Sequence, residues 1–74
     1  MDYVGMAMQL GVEILEQLPN YEQRKRERYY KMVQDYKNEI VRPADMQDHD
    51  LILNLRQDIY TYLESFLSEI KDGQ

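Results

Sequence analysis

Apolar residues recur along this 74-residue chain at the three- and four-residue spacing of helices, not at the alternation of strands. Val4, Ala7, Gly11, Ile14 and Leu18 fall on one stripe, widened by Met8, Leu10 and Leu15. The pattern predicts a first helix over about residues 2–18, stopped at Leu18-Pro19-Asn20 because a residue before proline avoids helical backbone angles. Gly5 and Gly11 each cost such a helix about 1 kcal/mol of propensity. At Gly11 the simplest reason is the close approach of a neighbouring helix.

A second helix is predicted over about residues 21–41, with Asn20 as its N-cap and Gln23 as the capping-box partner. Its stripe is Tyr29, Met32, Val33, Tyr36 and Ile40, preceded by a highly charged stretch. After a short acidic turn, in which Asp45 or Asp48 is the expected cap, a third helix runs over about residues 47–71 to Gly73. Ile52, Leu55, Ile59, Leu63, Phe66 and Ile70 form a heptad-like seam, with Leu53, Tyr60 and Leu67 as a second row beside it. The predicted fold is all-α: a long antiparallel hairpin of the second and third helices plus a shorter N-terminal helix, in one domain.

Folding the hairpin about Pro43 pairs Ile40 with Ile52, Tyr36 with Leu55, Val33 with Ile59 and Tyr29 with Leu63. Beyond that, Phe66, Leu67 and Ile70 meet the charged start of the second helix, whose arginine and lysine stems cover only part of them. The first helix, a second copy or another partner must cover this end. The expectation is a dimeric helical bundle, with Tyr29, Tyr60, Leu63, Phe66, Leu67 and Ile70 at the interface.

Composition narrows the chemistry. The chain carries 9 basic and 14 acidic residues, a net charge of −5, which disfavours bulk attraction to nucleic acid or anionic membrane. Residues 1–19 carry −3, residues 20–42 carry +3 and residues 43–74 carry −5, so a positive helix is expected between two negative ones, with Glu64, Glu69 and Asp72 opposite the basic cluster. There is no cysteine, which excludes disulfides and thiolate metal sites. The first apolar stretch is broken by Gln9, Glu13 and Glu16 and has no basic lead, so neither a membrane span nor a secretory signal is read. A cytoplasmic protein is expected, in a host cytoplasm if a phage or plasmid encodes it as an accessory protein.

Candidate sites are few. Arg24, Lys25, Arg26 and Arg28 could contact phosphate, but Glu22 and Glu27 interrupt the run, and a solvated, internally neutralised face is favoured. Asp45, Asp48, His49 and Asp50 carry metal-ligating groups without a calcium-loop spacing or a second histidine, so capping is favoured and no metal or cofactor is expected. Seven tyrosines and no tryptophan put several rings at a boundary, half-buried or at an interface. Met1, Met6, Met8 and Met46 could add adaptable contacts. With one histidine and serines only at Ser65 and Ser68, no nucleophile–base set is present, and an enzyme is not expected.

The leading functional expectation is a non-enzymatic protein–protein interaction module: an adaptor, assembly factor or regulator, working as a homodimer. The alternatives are an acidic inhibitor mimicking nucleic acid, and a nucleic-acid-binding protein using the basic start of the second helix.

Overall fold

The computed structural model describes residues 3–72. It is all-α, with no strand among those residues. Helix α1 spans Tyr3–Glu16, α2 spans Gln23–Ile40 and α3 spans His49–Asp72, with a single 3-10 turn at Ala44–Met46 before α3. The helices α2 and α3 form the expected antiparallel hairpin, and α1 lies mainly along α3, touching α2 over a shorter stretch. Gly73, the expected end of the third helix, falls outside the described residues.

The core is made by the predicted stripes. Val4, Leu15, Tyr29, Ile59 and Phe66 are fully enclosed, and Val33, Tyr36 and Leu55 are buried with them. The far end of the seam is closed in part within the chain: Phe66 sits among the rings of Tyr21, Tyr29 and Tyr62, with centroids 5.0–6.0 Å away and edge-on geometry. Leu18, Leu63 and Ile70 pack partly buried against the core. The loop after α1 thus covers Phe66 through Tyr21, whereas Leu67 at the same end stays 47% exposed.

At the turn a charged residue takes the buried position. Ile40 was to meet Ile52 but is 39% exposed, and the buried side chain there is that of Glu39. The Glu39 carboxylate accepts hydrogen bonds from the Asp48 backbone N–H at 2.9 Å and from Arg42 Nη1 at 3.2 and 3.3 Å. Gln47 Nε2 donates to the carbonyls of Ile40 and Arg42, which α2 leaves unpaired at its C-terminal end. Asp48 Oδ1 accepts from the Leu51 N–H at 3.0 Å, the capping role expected for it at the start of α3. A buried hydrogen-bonded carboxylate thus ties α2 to the start of α3 where two helix ends bring their orphan groups together.

Two further expectations are corrected. Asn20 does not cap α2: the helix begins two residues later, after Glu22, whose side chain makes no capping bond. The chain first turns through Leu18 and Tyr21, where the Tyr21 N–H donates to the Leu18 carbonyl at 3.0 Å, and this turn carries the Tyr21 ring to the edge of Phe66. Nor, among the described residues, do ion pairs join the positive helix to the negative ones. The three salt bridges among the described residues, Lys25–Glu22, Lys31–Asp35 and Arg42–Glu39, lie three or four residues apart in sequence. Such neighbours are in reach before any partner on another helix is.

Candidate interaction surface

The centre of the bundle is a contact between α1 and α2. The Tyr29 hydroxyl donates to the Met8 carbonyl at 2.9 Å and lies 3.4 Å from that of Ala7. Only a glycine permits this approach: a Cβ on Gly11 would fall far inside contact distance of Tyr29 Oη and Cζ. Burial pushes the Tyr29 hydroxyl up from the ordinary 10.0 to about 12, and the neighbouring Tyr30 hydroxyl adds to the shift. The close-packing reason for Gly11 therefore holds, with its partner identified. Tyr29 and Phe66, placed at the interface on sequence grounds, are wholly inside the chain, and Leu63 and Ile70 are partly inside it.

The basic cluster divides in the same way. Arg26 Nη1 donates to the Leu15 carbonyl at 2.9 Å and Nη2 to the Leu18 carbonyl, so its charge closes the C-terminal end of α1. A cation is favoured there, because the end of a helix carries partial negative charge on unpaired carbonyls. Lys25 is 3.9 Å from Glu22 and stands over the Tyr21 ring. Of the four candidate phosphate contacts, Arg24 and Arg28 alone make no ion pair or side-chain hydrogen bond among the described residues. A shallow cleft of about 170 Å³ between α2 and α3 is lined by Lys25, Arg28, Thr61, Tyr62 and Ser65. The Thr61 hydroxyl is already committed to the Gln57 carbonyl.

Away from the turn, the second apolar row of α3 and one flank of α1 remain exposed. Leu53, Tyr60 and Leu67 are 59%, 38% and 47% exposed, and on α1 Tyr3, Met6 and Leu10 are 72%, 56% and 42% exposed. Their positions on the helices follow a rule. Each member of the α3 row comes one residue after a residue packed in the core (Ile52, Ile59, Phe66), and each member of the α1 row comes one residue before a buried one (Val4, Ala7, Gly11). One residue is about 100° of rotation. The rows are therefore turned in opposite senses from the inward faces of their helices.

The bundle geometry brings these rows to one place. Tyr62 and Ser65 mark the side of α3 that faces α2. Tyr60 and Leu67 point about 160° away from them, toward the side where α1 lies. The C-terminal loop of α1 shares a cleft with Glu69 near the end of α3, so α1 and α3 run parallel. For parallel neighbours, flanks rotated in opposite senses border the same outer groove. This rotation sets Tyr3, Met6 and Leu10 on one wall and Leu53, Tyr60 and Leu67 on the other, on the side of the bundle away from α2. The sequence pattern singled out Leu53, Tyr60 and Leu67 as a row and Met6 as a possible contact, but it did not separate Tyr3, Met6 and Leu10 from the core of α1, because that depends on the facing side of α1.

No helix among the described residues is long and apolar enough to cross a membrane. Comparison of the chain with protein-family models, with curated proteins and with solved structures finds no match.

Proposed function

We propose that this chain is a non-enzymatic protein–protein interaction module, an adaptor, assembly factor or regulator, that works as a homodimer through the α1–α3 groove. One observation carries the reading. Six large apolar side chains, each between 38% and 72% exposed, line one groove of a small acidic protein. An aromatic side chain buries on the order of 150–250 Å² when fully covered, and six large side chains that each keep 38–72% of their surface exposed leave more than the scattered exposure of single residues. Contiguous patches of several hundred Å² on a monomer mark contact surfaces.

The test is sedimentation of the wild-type chain and of Leu53→Glu from low to high micromolar concentration. Leu53 is exposed, so the substitution leaves the fold within about 0.5 kcal/mol of wild type. Self-association of the wild type that Leu53→Glu weakens supports the reading. A wild type that remains monomeric throughout, and that binds an apolar dye no better than Leu53→Glu, would count against the groove as a contact surface.

A further inference from the structure

We infer that a second copy of the chain occupies the groove in one register: its α3 lies antiparallel to the first, with the two-fold axis passing at Tyr60. The inference rests on the interaction-module reading and specifies the partner and its orientation.

The argument begins from symmetry. A dimer of identical chains almost always closes on a two-fold axis, so the contact patch must be complementary to itself. In an antiparallel pair of helices related by an axis at residue 60, positions equally far before and after 60 come to the same level. Leu53 then meets Leu67 of the second copy, Tyr60 meets its own symmetry mate, and Arg56 meets Glu64. The exposed face of α3 reads Leu53, Arg56, Tyr60, Glu64, Leu67, which is symmetric in apolar character about Tyr60 and antisymmetric in charge.

Charge decides between orientations. Arg56 and Glu64 are both exposed, and neither makes an ion pair or a side-chain hydrogen bond among the described residues. Each lies four residues from Tyr60, about 6 Å along the helix, and about 40° to either side of it. An antiparallel pair therefore sets each arginine at the level of the other copy's glutamate, twice per dimer. A parallel pair in register would set arginine on arginine and glutamate on glutamate, and like charges so placed cost several kcal/mol.

Shape agrees. The two-fold axis relating the antiparallel α3 helices leaves both α1 helices on the same side of the pair, so Tyr3, Met6 and Leu10 of one copy face the α1 wall of the other. The α3 row is then covered by the second α3 and the α1 wall by the second α1, on both copies. A standard stable interface takes roughly 800 Å² from each partner. Six half-exposed large side chains, with the polar residues between them, supply an area of that order.

The register is tested by charge reversal with sedimentation equilibrium as the readout. Arg56→Glu alone sets glutamate against glutamate at both sites, and Glu64→Arg alone sets arginine against arginine. Each single variant is expected to raise the dimer dissociation constant at least about tenfold. Mixing the two is expected to restore association as a heterodimer, because each chain then supplies the charge that the other lacks. The double variant Arg56→Glu/Glu64→Arg is expected to dimerise like wild type. These positions are exposed, and unchanged circular dichroism and melting of each variant separates lost association from lost folding.

A second readout uses the absence of cysteine. Leu53→Cys/Leu67→Cys is expected to form an intermolecular disulfide readily, whereas Leu53→Cys alone is not. Single variants that dimerise as well as wild type, or a rapid disulfide in Leu53→Cys alone, overturn the register and leave the interaction module standing. A wild type that is monomeric at high micromolar concentration overturns the homodimer and with it this inference. The groove then belongs to a different partner.

Discussion

The two ends of the α2–α3 hairpin are held together by different means. At the far end, Phe66, Tyr29, Tyr62 and Tyr21 stack edge to face, and α1 lies over them with Gly11 against Tyr29. At the turn end, Ile40, Val41, Met46 and Leu51 are exposed, and a buried carboxylate, an amide and a cap tie the helices together. The reason is length. The 14 residues of α1 span little more than half of the 24 residues of α3. Where α1 reaches, three layers can exclude water and apolar packing suffices. Where it does not, two helices alone leave large side chains exposed, and hydrogen bonds between the helix ends take over.

The comparison is broken most severely at Gly11. Replacing it with alanine improves local helix propensity by up to about 1 kcal/mol. The new methyl would nevertheless overlap the Tyr29 ring, which is fully buried and hemmed in by Phe66 and Tyr62. The tyrosine cannot swing away, so α1 must lift, losing the bond to Met8 and opening the core. Gly11→Ala is expected to destabilise by about 3 kcal/mol net, near the upper end for overpacked cores. Urea denaturation measures it, and a neutral or stabilised variant would show that the approach of α1 to α2 is looser than described.

Gly11 also shows what could be read before the structure was known. A glycine that interrupts a good helical stripe asks for a close neighbour, and the all-α class, the three segments and most core positions follow from spacing alone. The identity of the neighbour does not, because it depends on where α1 is laid. The same holds for Arg26. In sequence it is one cation in a run of four, and only the arrival of the Leu15 and Leu18 carbonyls gives it a different task from Arg24. Glu39 was equally hidden: a charged residue beside Ile40 reads as solvent-facing, and its burial follows from the unpaired N–H groups that α3 brings to it. The groove was half visible. Its α3 wall stands out as a second row, whereas its α1 wall depends on which way α1 is rotated.

At the turn end the decisive substitution is Glu39→Ala. It strips the Asp48 N–H and the Arg42 guanidinium of their acceptor in a part-buried site. Hydrogen bonds to a charged group contribute about 1.5–3 kcal/mol, and an abandoned donor costs more than a missing one. A loss of about 2 kcal/mol is expected, with Glu39→Gln intermediate because it retains an acceptor oxygen. Hydrogen exchange locates the effect: the amides of Asp48 to Leu51 should lose protection first, while those around Tyr29 keep theirs. Equal loss of protection at both ends would show that the two ends are not separately held.

The smallest effect at neutral pH, and the most specific, belongs to Tyr29→Phe. It removes the bond to the Met8 carbonyl and is expected to cost about 1 kcal/mol. Its signature lies at high pH. The folded chain holds the Tyr29 proton up to about pH 12, whereas the unfolded chain releases it near 10.0. Between those values the folded state carries the extra proton, so stability falls as pH rises. The contribution is fully present below about pH 10 and is lost at about 1.4 kcal/mol per pH unit above it. The phenylalanine variant has no proton to lose there, so its stability should decline less steeply across that window, and the two curves should converge. Curves that remain parallel would mean that the hydroxyl meets water in the folded chain. The far end would then be no drier than the turn end, and the contrast between them would rest on shape alone.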